Sequence, residues 1–361
     1  MRYVDEFRSA PLVKAMSARI AELSERLSRP VRFMEVCGGH TMAIHRFGIP
    51  ALLPSQVELL SGPGCPVCVT PTASIDRAIE LGRQEGVMLT TFGDLFRVPG
   101  GEQSLEGAAG RGVDVRVVYS PRDALRIAGE NPDRQVIFLA VGFETTAPTT
   151  AATVLEAKAT GVSNFRVLSG HKTMPGALRA LTQAPEVAID GFILPGHVST
   201  IIGAGPYAFL AEELGLACCI AGFEPADVLQ SILSLVEQCV EGRPRVDNRY
   251  GRAVRAEGNP KACETIARVF EPCDAQWRGI GMVPASGLDL RDEWKAFHVS
   301  PPDAALASPE SGRCRCGEVL RGVIKPPQCP LFGTRCTPDT PVGPCMVSSE
   351  GACGAFFRYG S

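Results

Sequence analysis

The sequence predicts an α/β protein: two parallel-sheet lobes facing a central cleft, followed by a Cys/Pro-rich C-terminal region. Three observations predict it. Short apolar runs rich in Val, Ile and Leu alternate with stretches of helical period. Most of those runs end on a glycine followed by a polar or ionisable residue. From about Pro244 the alternation fades, and residues from Pro301 onward are dense in Pro, Gly and Cys with little periodicity. Apolar runs separated by helices are the mark of strands buried on both faces of a parallel sheet.

The elements follow in order. Residues Asp5 to Ser28 carry Leu12, Ile20, Leu23 and Leu27 at helical spacing, and Pro30 stops them, which predicts an N-terminal helix. Strands are predicted at Val31–Val36, Val57–Leu60, Val87–Thr90, Val113–Val118, Val136–Val141, Phe165–Leu168, Phe192–Leu194 and Ala217–Ile220. Helices are predicted between them at Thr72–Arg83, Pro121–Gly129, Ala147–Ala159, Met174–Gln183 and Pro225–Cys239. Strand ends such as Val36-Cys37-Gly38-Gly39-His40, Val141-Gly142-Phe143-Glu144 and Leu194-Pro195-Gly196-His197 turn sharply and present a polar side chain. In Rossmann-like open sheets the crevice beyond the strands' carboxyl ends is where ligands bind. The strand count divides the chain into an N-terminal helix and first lobe over 1–120, a second lobe over 121–243 and a C-terminal domain over 244–361.

At 361 residues and 38.4 kDa, with 45% apolar and 21% charged residues, the chain has ordinary globular composition. Its 36 Lys and Arg balance 39 Asp and Glu without a run of either sign, so neither nucleic acid nor an anionic membrane is an expected partner. No apolar run reaches the roughly 18 residues of a membrane span, and Asp5, Glu6 and Arg8 interrupt the place of a signal peptide's apolar core. A cytoplasmic protein is expected. Fourteen cysteines then require an explanation other than disulfide staples, and metal binding or redox chemistry supplies it.

Six of them, Cys314, Cys316, Cys329, Cys336, Cys345 and Cys353, crowd the Pro-rich tail, several times the share an even spread would give. Many thiols in a loop-rich segment with little core suggest a metal in place of hydrophobic burial. Their wide spacing favours an iron-sulfur cluster over zinc, which recruits close pairs. A second group is Gly62-Pro63-Gly64-Cys65-Pro66-Val67-Cys68, a C-x-x-C before a helix, open to readings as a redox pair or as buried or zinc-bound cysteines. A third is Cys37 in Cys37-Gly38-Gly39-His40-Thr41, which shares a rim with Cys65 and Cys68 if the first two strands are neighbours; with His40 the set would also suit a Cys3His zinc site. His197 stands at a strand end as a candidate proton donor or ligand, Glu144 at another as a base, a ligand or a helix N-terminal charge, and His45 and His171 divide between such roles and structural ones. Cys218, Cys219 and Cys239 sit in apolar surroundings and read as core. Cys263 and Cys273 receive no assignment.

These pieces together resemble the HypD family of NiFe-hydrogenase maturation factors. The resemblance rests on Cys37-Gly38-Gly39-His40-Thr41, Gly62-Pro63-Gly64-Cys65-Pro66-Val67-Cys68, Gly142-Phe143-Glu144-Thr145-Thr146, Pro195-Gly196-His197 and a C-terminal C-x(14)-C-x(6)-C-x(16)-C pattern met by Cys314, Cys329, Cys336 and Cys353. It implies two α/β lobes and a third region holding a 4Fe-4S cluster. It also implies assembly of an Fe(CN)2CO unit with a HypC-type chaperone and a HypE-type cyanide donor. It makes Cys314, Cys329, Cys336 and Cys353 the cluster ligands, leaving Cys316 and Cys345 outside them. Cys65 and Cys68 become a redox pair, Cys37 an iron- or partner-facing thiolate, and His197 and Glu144 cleft residues; by donor chemistry Cys37 with Cys68 would supply soft thiolates for the iron. Two other readings stay open: a thiol-disulfide oxidoreductase of ferredoxin:thioredoxin-reductase type, and a zinc-dependent hydrolase using Cys37, His40, Cys65 and Cys68.

Overall fold

Two five-stranded sheets, both wholly parallel, carry the molecule, and the computed structural model describes residues 4–301 and 314–360 of it. The strands are β1 (Val31–Glu35), β2 (Val57–Ser61), β3 (Val87–Thr91), β4 (Val115–Val117), β5 (Gln135–Gly142) and β6 (Phe165–His171). They continue with β7 (Gly191–Leu194), β8 (Ala217–Ile220), β9 (Val246–Asn248), β10 (Phe270–Trp277), β11 (Gly281–Leu290) and β12 (His298–Val299). Each predicted apolar run forms a strand where it was expected. β5 shows why: every residue from Val136 to Gly142 is buried, since helices cover both faces.

One sheet runs in the order β2-β1-β7-β8-β9 and the other β12-β6-β5-β3-β4. Numbered within each sheet, both follow the doubly wound order 2-1-3-4-5, which reverses direction beside the first strand. The sheets do not follow the segments 1–120 and 121–243. The first takes β1 and β2 from the beginning of the chain and β7 to β9 from residues 191–248, whereas β3 to β6 lie between them in sequence and build the second. One α/β unit is thus inserted within another, and β12 from the later chain completes its edge by pairing with β6. The strand-helix alternation stays in phase through both junctions, so periodicity carries no mark of the insertion.

The N-terminal helix is shorter than its pattern. Asp5–Arg8 form a 3-10 turn and α1 runs Ala10–Ser24, with Pro11 in its first turn, where a missing N–H costs nothing. Two further helices position the site: α2 (Gly38–Arg46) follows β1, and α3 (Thr72–Gly82) follows the C-x-x-C loop after β2. Beyond β9 lies an element that the fading pattern does not announce, the antiparallel ribbon β10–β11. Pro272, Pro284 and a bulge between Cys273 and Ala275 break the alternation that would betray it. Its Trp277 stacks on Phe143 at 5.7 Å, which caps the end of β5.

The cysteine-rich region has only short helices, Cys316–Leu320, Pro344–Val347 and Ala352–Tyr359. It docks on the first sheet through Lys325 with Glu58 at 2.8 Å and the edge of Phe356 against His45 at 5.2 Å. It docks on the second through Ser348 Oγ, which donates to Asp94 Oδ2 at 2.8 Å. Among the described residues no helix is long and apolar enough to cross a membrane.

Candidate functional site

The first sheet reverses between β1 and β7, and Cys37 and His197 lie two and three residues beyond the ends of those strands. β1 and β2 are parallel neighbours, so Cys37 and the Cys65/Cys68 loop do share a rim. Contact there is close enough to dictate glycine: a Cβ on Gly64 would strike the backbone of Val36 and Cys37, and Gly38 N donates to Gly64 O at 2.9 Å. Cys37 caps α2 and is buried. Burial pushes its thiol up to about 12 and the nearby Glu350 adds to that, while the N–H groups of Gly39 and His40 pull toward the thiolate.

Beneath Cys37 lies Glu35, which the sequence reading passes over. Its carboxyl accepts from Thr41 Oγ1 at 2.6 Å and from Cys37 N at 3.2 Å, and burial raises it to about 8 despite those bonds. Glu350, from the cysteine-rich region, packs so tightly against Gly38 that a Cβ there would lie 2.5 Å from its own. On the other side His40 and His197 sandwich the ring of Phe223, at 4.6 and 4.0 Å between centroids. His40 Nε2 donates to the carbonyls of Ala221 and Gly222 at 3.2 and 3.0 Å, and burial lowers the ring to about 4, so it stays neutral. Its Nδ1 is buried without a partner. His197 is exposed at the rim.

Cys65 and Cys68 are joined in a disulfide, their Cα atoms 5.2 Å apart, and both are buried. Cys68 Sγ lies 3.9 Å from Pro344 O. The thiol pair therefore abuts the residue that precedes Cys345.

Glu144 sits where the second sheet reverses, at the end of β5. One carboxylate oxygen accepts from Met174 N at 2.9 Å, at the start of the helix Met174–Gln183, and the other is buried without a partner. Burial raises the acid to about 7. Val36, Cys65, Cys68, Phe143, Leu194 and Tyr207 share one buried apolar cluster, so the two reversal points face one interior. His171 is structural: its ring bonds Thr150 Oγ1 at 2.9 Å and Gly142 O at 3.4 Å and is held near pKa 4 by burial. Cys218 and Cys219 are core residues without exposure.

All six C-terminal cysteines line one small cavity with Leu331, Phe332, Gly343 and Met346. The sulfurs of Cys316 and Cys345 approach to 2.6 Å, so the two cysteines left outside the ligand set form a pair of their own against it. Nothing in the spacing of Cys316 and Cys345 pairs them, because 28 residues separate them and only the docking of the helix Pro344–Val347 closes the gap. The remaining four fit an iron-sulfur cluster by donor chemistry. Val342 N donates to Cys336 Sγ at 3.3 Å and Cys316 N points at Cys314, the N–H···S bonds that favour thiolates. Burial and mutual repulsion push Cys314 up to about 12 and Cys353 well upward, a cost that a bound metal cation would offset. No three His, Cys, Asp or Glu side chains among the described residues converge closely enough for a single ion; a cluster spreads its thiolates over separate corners, wider than a shell with bonds of about 2.3 Å.

The structure thus gathers Cys37, Cys65, Cys68 and Glu144 around one interior with His197 exposed at its rim, and sets the C-terminal cysteines beside Cys68. A family model described as "HypD: Hydrogenase formation hypA family" matches residues 11–360. The chain is 48% identical over 370 residues to the hydrogenase maturation factor HypD of Rhizobium leguminosarum bv. viciae, covering 100% of this chain and 96% of that one. It is 47% identical over 370 residues to the hydrogenase maturation factor HypD of Escherichia coli (strain K12), covering 99% and 98%. The hydrogenase expression/formation protein HupD of Azotobacter chroococcum mcd 1 is 48% identical over 372 residues, covering 100% and 97%. The chain belongs to the HypD family of hydrogenase maturation factors.

Proposed function

We propose that this member of the HypD family is an iron-binding redox scaffold on which the Fe(CN)2CO unit of a NiFe-hydrogenase is built. It would act in the cytoplasm, in complex with a HypC-type chaperone and a HypE-type cyanide donor. The observation that carries the reading is the contact of Cys68 Sγ with Pro344 O at 3.9 Å, which links the C-terminal cysteine cavity, through Cys345, to the Cys65–Cys68 disulfide.

Cys314, Cys329, Cys336 and Cys353 would hold a 4Fe-4S cluster. Bound there, the cluster supplies electrons singly for thiol chemistry in this part of the molecule. Opening the Cys65–Cys68 disulfide takes two electrons and two protons and yields two thiols. Cys68 and Cys37 are then soft donors for a low-spin iron that carries cyanide and carbon monoxide as cargo. The N–H groups of Gly39 and His40 aim at the Cys37 sulfur and favour its thiolate once a cation arrives. Glu144, near pKa 7, can take up or release a proton at neutral pH, and His197 offers a second proton site at the rim.

The burial of Cys65 and Cys68 at 2% and 0% exposure weighs against a protein disulfide as substrate, because its sulfurs could not reach them. A zinc hydrolase would need both sulfurs as ligands, and they are bonded to each other. The test is infrared spectroscopy of the anaerobically purified complex. Cys68→Ala is expected to abolish the cyanide bands of the bound iron, and undiminished bands in that variant would overturn the proposal.

A further inference from the structure

The turn Arg278-Gly279-Ile280 joins β10 to β11, and the chemistry described above makes no use of it. Its base is rigid. Trp277 is buried, its indole N–H donates to Ser286 Oγ at 2.8 Å, and Ser286 O accepts from Thr173 N at 2.8 Å, at the start of the helix Met174–Gln183. The ribbon is thus anchored to the part of the molecule that carries the second sheet, and Ile280 N closes the turn by donating to Trp277 O at 3.1 Å.

From this anchor the turn reaches both cysteine groups. Arg278 N donates to Val69 O at 2.9 Å, and Val69 follows Cys68 directly. The Arg278 side chain is buried as well, and its Nη1 donates to Pro99 O at 3.1 Å. The next residue, Gly279, packs backbone to backbone on Gly317, which follows Cys316. A Cβ on Gly279 would lie 2.4 Å from Gly317 Cα, and one on Gly317 would lie 2.8 Å from Gly279 Cα. Only glycine at both positions permits that approach. Gly281 differs: its φ of 105° also favours glycine, yet a Cβ there would meet nothing within 4 Å.

The contact at Val69 bears on the disulfide. Cys68 N and Val69 N both donate to Cys65 O, at 3.1 and 3.3 Å, so Val69 belongs to the same tight turn as the two sulfurs. Opening the disulfide moves the sulfurs from bonding to van der Waals separation. Both cysteines are buried, and a close-packed interior makes room only by displacing neighbours. Those neighbours are held, Pro344 O at 3.9 Å from Cys68 Sγ and Val69 by the ribbon turn.

We infer that the turn Arg278–Ile280 is a spacer: it holds Val69 through Arg278 and Gly317 through Gly279, fixes the C-x-x-C loop against the Cys316 end of the C-terminal region, and biases Cys65 and Cys68 toward the disulfide. Arg278 and Gly279 are positioning residues, since they act through the loop and not on the sulfurs. The inference rests on the reading above in one respect, that the disulfide opens.

The test is the equilibrium of Cys65–Cys68 with its dithiol form in the full chain, set by anaerobic dithiothreitol buffers and read by alkylation and peptide mass spectrometry. Gly279→Ala is expected to shift it toward the thiols by roughly tenfold or more, about 30 mV for this two-electron couple. Gly317→Ala strikes the same contact from the other backbone without a left-handed residue, should shift the equilibrium in the same direction, and stands in if Gly279→Ala does not fold. Gly281→Ala is strained but touches nothing, so it should lower the unfolding midpoint and leave the potential alone. A purely structural turn would move the midpoint in these variants and the potential in none. An unchanged potential in a folded contact variant, or an equal shift in Gly281→Ala, would overturn the inference. Neither result touches the cyanide bands of the unaltered complex, on which the scaffold reading is judged.

Discussion

The second sheet and the cysteine-rich region are held together by different means. In β5 the side chains of Val136, Phe138 and Ala140 enter one apolar cluster and those of Ile137, Leu139 and Val141 another, all at 4% exposure or less. Each residue there replaces water contact with close-packed neighbours, and the stabilisation grows with apolar area. Residues 314–360 have no strand to share such a burden. Their interior is a ring of six cysteines, where mutual repulsion and burial push the thiols upward. A sheet built on area weakens gradually as atoms are removed. A loop region built on thiols depends on what those thiols bind, and is lost with it.

The contrast can be broken or sharpened by experiment. Cys329→Ala is expected to have the largest effect, removing all cluster iron and sulfide (about four of each) with the visible colour, and exposing the C-terminal region to proteolysis while the far-ultraviolet signal of the sheets persists. Anaerobic iron and sulfide analysis decides it, and a variant that keeps its iron would sink the assignment. Phe138→Ala should cost about 3–5 kcal/mol in a urea titration, with iron content unchanged in the folded protein. Loss of iron there would show that the two regions fold as one unit.

A smaller effect is expected from Glu144→Gln. Burial raises this acid from 4.5 to about 7, so the folded state binds its proton more tightly than the unfolded chain does. Its contribution is therefore full below pH 4.5 and declines as pH rises toward 7, by about 1.4 kcal/mol per pH unit at most. The glutamine variant should lack that decline, giving a flatter profile of unfolding midpoint against pH; an unchanged profile would mean that Glu144 is ionised in the folded state. The smallest effect belongs to the surface. Arg126 and Glu130 pair at 2.7 Å with side chains 62% and 56% exposed, and Arg126→Ala should cost less than about 0.5 kcal/mol in the same urea titration.

Much of the site was legible before folding. Cys37, Cys65, Cys68, Glu144 and His197 stand out because glycine-rich turns follow apolar runs, and the structure brings these strand ends together. Glu35, Glu350 and Phe223 were not legible. Glu35 falls inside an apolar run, Glu350 arrives from a distant loop, and Phe223 acts by stacking between His40 and His197, which no local pattern encodes. The ribbon β10–β11 was hidden for a different reason: half-buried strands with a bulge and two prolines lose the period of two on which recognition depends.

By itself the sequence determined strands β1 to β8 and the main helices between them, since burial on both faces forces continuous apolar strands and one-sided burial forces helical spacing. It also determined the set of thiol donors, because thiol number and spacing are covalent facts. Only the tertiary structure decided that one α/β unit is inserted in the other, as strand order is set by pairing between distant segments. It alone set Cys316 against Cys345 and Cys68 beside Pro344, because those contacts arise from docking between surfaces, on which local period is silent.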